Sequence, residues 1–237
     1  MGADDTIRAD LRVGQNFSGS AYPYLPMAFT RFDLVQDADT AAVAGRLGDR
    51  PAVQVQAPGP GLMIIVHQTT DSSLLYDTPD MFRTFVEHKG FDGVLEAHAQ
   101  RGLPEAGFRE RYSRYAKSLI AVGNGQGADQ EVGLLTEIIA LANPYTDALP
   151  DGLPVQVMYE GAPRPDAQLE VFARDVQGAV SITLYRTDAQ GRAQVAVAEG
   201  HEYLLDAVVM RPLAGGDDTA PVWESLWASL TFARPGQ

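Results

Sequence analysis

Ile7, Ala9, Leu11 and Val13 alternate with Thr6, Arg8, Asp10 and Arg12. A period of two predicts an extended segment with one buried face. Val53 and Val55 alternate with Gln54 and Gln56 in the same way. The turn Pro58-Gly59-Pro60-Gly61 then leads into an uninterrupted apolar run at 62–66, of strand length. Residues 29–36 form a less regular strand pattern. Between Arg12 and Phe29 the chain is rich in glycine, serine and proline and reads as an irregular loop. The period then changes. Thr78 is placed as a helix N-cap with Pro79 at the first helical position and Asp80 in the first turn. Met81, Phe82, Phe85 and Val86 follow at helical spacing, and Gly90 closes the segment. A second short helix is expected from Asp92 through Val94, Leu95 and His98 to Gly102.

Alternation returns from Tyr115, running at least to Val122, and again at 134–141, with the polar, glycine-rich stretch 123–133 between them read as a flexible hairpin loop. Asn143-Pro144-Tyr145 and Leu149-Pro150-Asp151-Gly152 punctuate the chain. Beyond them, strands are expected at 155–159, 169–172, 180–185, 193–197, 203–210 and 225–232, with a hairpin-type turn at 187–192. Short strands with frequent turn signals predict a mainly β protein. The expected architecture is two β-sandwich domains, at 1–145 and 146–237, the first carrying a helical insertion at about 78–102.

The chain of 237 residues carries a formal net charge of −13, which argues against nucleic acid as a main partner. It has no cysteine, which removes disulfides, thiolate metal sites and cysteine nucleophiles together. No apolar run approaches the roughly 18 residues of a membrane-spanning helix. The start, Met1-Gly2-Ala3-Asp4-Asp5, is acidic where a signal peptide begins basic, so the sequence is expected to begin inside a mature protein.

Histidines occur at 67, 88, 98 and 201, without HxH or HExxH spacing. Three of them lie beside carboxylates, as Glu87-His88, Glu96-x-His98 and His201-Glu202. Imidazole with carboxylate suits nickel, cobalt or zinc. His88 and His98, with Glu87 and Glu96, are the candidate ligands, because two adjacent helices would present them together. The plain alternative is chance proximity in an acidic chain. If residues 111–117 are extended, Arg111, Ser113, Tyr115 and Lys117 share one face, and Tyr112 and Arg114 the other. This density of cations reads either as an anion clamp or as an internal salt-bridge cluster with Glu87, Glu110 and Glu137 as partners. The second reading is preferred. Asp37 with Asp39, Asp147 with Asp151, and Asp217 with Asp218 lack EF-hand spacing and read as turns. Trp223 and Trp227 fall on one face of a strand and are expected to be buried. No motif specifies an enzymatic reaction.

Two segments carry a family resemblance: Arg109-Glu110-Arg111-Tyr112-Ser113-Arg114-Tyr115-Ala116-Lys117, and Trp223-Glu224-Ser225-Leu226-Trp227-Ala228-Ser229-Leu230-Thr231-Phe232. Phe85-Val86-Glu87-His88-Lys89-Gly90-Phe91 and Asn143-Pro144-Tyr145 extend it. In these segments the chain resembles a domain-of-unknown-function family of secreted bacterial periplasmic proteins associated with nickel and cobalt uptake. The resemblance implies immunoglobulin-like or transthyretin-like β-domains and a signal peptide on the precursor; with no enzyme motif in the chain, the role expected is non-enzymatic. The leading expectation is help in acquiring nickel or cobalt, by binding the ion, a chelate, or a transporter or outer-membrane receptor component. The alternative is a structural or interaction module of the cell envelope with no ligand of its own. Glu110, Arg111, Tyr112, Arg114, Tyr115 and Lys117, with Trp223, Glu224 and Trp227, then form a structural or ligand-binding cluster. The family pattern also implies a late-strand histidine where this chain has Val209.

Overall fold

In the computed structural model the described residues form seventeen strands and two α-helices. Residues 2, 5–215 and 219–236 are described, so Asp217 and Asp218 lie outside the described residues. The first eight strands are β1 (Thr6–Ala9), β2 (Leu11–Gln15), β3 (Ser18–Tyr22), β4 (Phe29–Gln36), β5 (Asp39–Ala42), β6 (Val53–Gln56), β7 (Gly61–Thr69) and β8 (Ser72–Tyr76). Helices α1 (Pro79–His88) and α2 (Val94–Gln100) follow. The remaining strands are β9 (Phe108–Val122), β10 (Thr136–Ala140), β11 (Leu153–Tyr159), β12 (Ala162–Pro163), β13 (Gln168–Arg174), β14 (Val180–Arg186), β15 (Arg192–Val195), β16 (Glu202–Pro212) and β17 (Pro221–Ala233).

Nine strands build one sheet in the order β14-β13-β16-β17-β9-β7-β4-β5, with β8 also paired to β9. A smaller sheet, β10-β11-β12 with β15 on β11, packs against one of its faces. The mainly β, sandwich-type architecture expected from the alternation is the one observed. The apolar core lies between the two sheets, where Ile64, Leu119, Leu205, Leu226 and Leu230 meet Ile138, Leu153, Val155 and Val195. The opposite face of the large sheet has two covers. The β1–β6 pair covers Met63, Ile65 and Val122, and α1 and α2 cover Tyr76, Phe108 and Trp223. Strand β7 is therefore buried on both faces, which is why its apolar run shows no alternation.

The boundary expected at 145/146 falls between β10 and β11, which are hydrogen-bonded neighbours. Sheet and core both continue across it. Strand β9 runs parallel to β17, from Trp223 opposite Glu110 to Thr231 opposite Ser118. The two segments that carry the family resemblance thus lie side by side at the centre of the large sheet.

Three loop expectations are corrected. The stretch read as irregular between Arg12 and Phe29 contains a hairpin, β2–β3, turned by Asn16 and Phe17, both at positive φ. Its signal was weak because Phe17 stands where glycine usually serves. Residues 123–133 are not a hairpin loop, since β9 and β10 belong to different sheets. Asn143 Nδ2 donates to the carbonyls of Gly125 and Gly127, and Leu62 N donates to that of Gln126, so this crossing is anchored. The turn at 187–192 likewise passes from β14 in the large sheet to β15 in the small one.

Gly152 enters β11 with φ +94°, and a Cβ there would stand 2.4 Å from the Val195 carbonyl oxygen. Gly152→Ala is expected to cost about 1–3 kcal/mol through this strain, measured by chemical denaturation. An unchanged midpoint would show that the turn relaxes freely.

Candidate functional site

Helix α1 begins where sequence placed it, with extended Thr78 before Pro79. Its amphipathic spacing turns Phe82 and Val86 down into the aromatic cluster beneath. Thr84, Phe85 and the half-exposed Met81 instead face a cleft of about 580 Å³ between the helix and the sheet. The floor is Leu74 and Tyr76 of β8, Glu110, Tyr112 and Arg114 of β9, and Trp227 of β17. Strand alternation puts 110, 112 and 114 on this face, and Ser113, Tyr115 and Lys117 toward the small sheet. The expected division of faces is therefore observed. Trp223 is buried, as expected, but Trp227 is only partly so. It stacks on Phe85 at 5.6 Å between ring centroids, with Lys89 Nζ 5.0 Å from its ring.

A hydrogen-bonded chain runs under the cleft. Tyr76 and Ser225 each donate a hydroxyl to Glu110, one to each carboxylate oxygen, and Trp227 Nε1 donates to Ser225 Oγ at 2.8 Å. Glu110 is 1% exposed. Burial raises its pKa, and the two hydroxyl donors pull the other way without cancelling the rise. Burial and the neighbouring carboxylate push the Tyr76 phenol well above its ordinary value.

Three of the four cations of β9, Arg111, Arg114 and Lys117, separate into two groups. Lys117 is buried between Asp129 at 2.8 Å and Glu137 at 3.5 Å, and Arg111 pairs with Glu224 at 2.7 Å. These two are architectural. Of the partners expected from sequence, Glu137 is correct, Glu110 is engaged by hydroxyls, and Glu87 pairs with none of these cations among the described residues. Arg114 differs. Its guanidinium lies 4.8 Å from the Tyr112 ring and lines the cleft, with no carboxylate in ion-pair range among the described residues. The tie between the helices and the sheet is instead Lys89, held by Glu170 at 2.7 Å and Asp206 at 2.6 Å. Burial alone would lower the Lys89 pKa, but the two carboxylates raise it above its ordinary value.

The four candidate metal ligands are not assembled. His98 turns inward, packs 4.5 Å from Phe108 and accepts a 2.9 Å hydrogen bond at Nδ1 from Trp223 Nε1. Its Nε2 lies 2.9 Å from the Pro104 carbonyl, so it carries the proton, and neither ring nitrogen is free. His88 is on the surface, 3.4 Å from Glu170. Glu87 and Glu96 are exposed. Among the described residues no group of three histidine, aspartate or glutamate side chains is placed to hold a metal ion. The physical reason is α2's apolar packing, which draws His98 beneath the helix. Val209, where the resemblance implies a histidine, is buried in the sandwich core.

A family described as a domain of unknown function, DUF4198, matches residues 1–211. The chain belongs to the DUF4198 family. No curated protein matches it. A solved structure, the tetra-tandem repeat in the extending region of a large adhesion protein, aligns at 12% identity and a TM-score of 0.21. That alignment covers 90% of this chain and 44% of the other, and a score so low carries no argument about fold or role. Within this DUF4198 chain no helix of the described residues is long and apolar enough to cross a membrane.

Sequence reasoning named Tyr112, Arg114 and Trp227 but not their shared cleft. It missed Tyr76, Ser225 and the helix residues Met81, Thr84 and Phe85 as lining or support. The available signal was the i, i+4 pair Met81 and Phe85 lying off the Phe82–Val86 stripe.

Proposed function

We propose that this DUF4198 chain is a non-enzymatic periplasmic binding protein that assists nickel or cobalt acquisition. It holds the metal as an organic chelate in the helix-roofed cleft and works beside a membrane transporter or outer-membrane receptor. The observation that carries this reading is the cleft: about 580 Å³, lined by Phe85, Tyr112 and Trp227, with Arg114 unmatched by any carboxylate among the described residues. Volume and apolar lining of this kind suit a small organic ligand. A bare ion needs several converging donors, and the candidate histidines and carboxylates stand apart.

Calorimetric titration of tag-free protein tests this, using nickel and cobalt as bare ions and as their bis(pyridine-2,6-dicarboxylate) chelates. The chelates are expected to bind, the bare ions to bind weakly if at all, and Trp227→Ala to abolish chelate binding. Tight bare-ion binding that His88→Ala removes would replace the chelate reading by an ion site. A second reading, the ligand-free interaction module of the cell envelope, is favoured by the sheet edge at β14. There Ile182 and Leu184 are 49% and 56% exposed on one face of an outer strand. Exposed apolar edge strands are templates for pairing with another chain. That reading gains if neither metal form binds.

A further inference from the structure

We infer that the cleft recognises a flat amphipathic carboxylate, with its acid on Arg114 and its ring against Trp227 and Tyr112, and that it requires no metal to do so. This rests on the cleft being the ligand site and specifies the chemistry it selects. Arg111, Lys117, Lys89 and Arg211 each have carboxylate partners within 4 Å. Arg114 has none among the described residues; Arg101, Arg109 and Arg164 also lack one, but Arg114 is the cation that lines the cleft. Its backbone N–H is taken by Thr69 Oγ1 at 3.0 Å, so β9 fixes where its stem leaves the strand. The guanidinium fork, lying over Tyr112, matches a carboxylate bidentately.

The acids near the cleft do not compete for this role. Asp80 has an 85% exposed side chain and lies 3.4 Å from Arg83. Glu110 is four residues from Arg114 along the strand, about 13 Å away between backbone positions, and is no ion-pair partner for it. Both its oxygens already accept hydroxyls. A ligand cation therefore finds in the lining only Asp80, which already has Arg83 beside it, whereas a ligand anion finds the Arg114 guanidinium without a carboxylate partner. Trp227 is adjacent to Arg114 across the β9–β17 pair, so ring and acid contacts fall side by side. The chain from Glu110 through Ser225 to Trp227 Nε1 holds the indole in place, which makes Glu110 a positioning residue.

The probe is naphthalene-2-carboxylate, titrated calorimetrically with EDTA present and compared with naphthalene-2-methanol and 2-naphthylmethylamine. The carboxylate is expected to bind about ten- to a hundredfold more tightly than the alcohol, as for one charge-assisted contact, and the amine most weakly. Arg114→Gln should equalise acid and alcohol while leaving the melting temperature unchanged. Arg114→Lys, which keeps the charge but loses the fork, should retain part of the preference and serves if the glutamine variant is unstable. Equal binding of acid and alcohol, or a preference that survives Arg114→Gln, overturns the inference, as does failure of all three probes. If the metal chelates bind and the naphthoate does not, this inference falls and the proposed function stands. The reverse result removes the metal reading and leaves the carboxylate site.

Discussion

Lys117→Met is expected to destabilise the protein by about 3–5 kcal/mol near neutral pH, more than any other single change considered. The lysine is fully buried between Asp129 and Glu137, themselves without significant exposure. Removing it leaves two desolvated carboxylates that retain only backbone donors, from Ala140 and Gln130 to Asp129 and from Val132 and Gly133 to Glu137. Burial already raises both pKa values, and Lys117 is the largest opposing influence on each. Without it both rise further. A carboxyl whose folded pKa exceeds its unfolded value contributes stability below the unfolded value and loses it as pH climbs through the folded one. The deficit of Lys117→Met relative to the unsubstituted protein should therefore shrink between pH 8 and pH 5. Urea denaturation of both proteins across that range gives the measurement. A deficit that is small, or that grows with acid, would mean the carboxylates find other partners.

His67 sets the second large effect, with the opposite sign. Its ring packs edge-on against Phe32 at 4.8 Å and Phe29 at 5.7 Å, and burial lowers its pKa from 6.5 to about 4. The folded state thus resists protonation. Stability from this group is complete above pH 6.5 and is lost as pH falls from there toward 4. At about 1.4 kcal/mol per pH unit the loss reaches about 3 kcal/mol. His67→Gln should flatten that part of the stability profile. An acid limb identical in the two proteins would assign the transition to other groups.

These two residues show how local reading and tertiary context divide. Lys117 was visible in the sequence as one of several cations, and its strand face was predictable from alternation. Its partner Glu137 was named, but Asp129 was not, because Asp129 sits in a loop whose path depends on two sheets meeting. Alternation already put Arg114 on the face away from Arg111 and Lys117, but did not show what lies over that face. The pleat sends it to the opposite face, where α1 leaves a cleft rather than a carboxylate. His98 looked like a ligand beside Glu96, yet the packing of α2 turns it inward, where it accepts the Trp223 indole hydrogen bond.

What the sequence by itself determined is the local geometry: the strand periods, the start of α1 at Thr78-Pro79, its end at Gly90, and which side chains share a face. Those features follow from backbone stereochemistry and short-range burial, so a window of ten residues contains them. The tertiary structure alone decided that β9 and β17, more than a hundred residues apart, run parallel at the centre of one sheet spanning both halves. It also decided that the turns at 123–133 and 187–192 cross between sheets. The cleft exists only because that pairing sets Trp227 beside Arg114 beneath α1. Strand pairing is chosen by the burial of whole faces against one another, and no local pattern encodes which distant face will supply the partner.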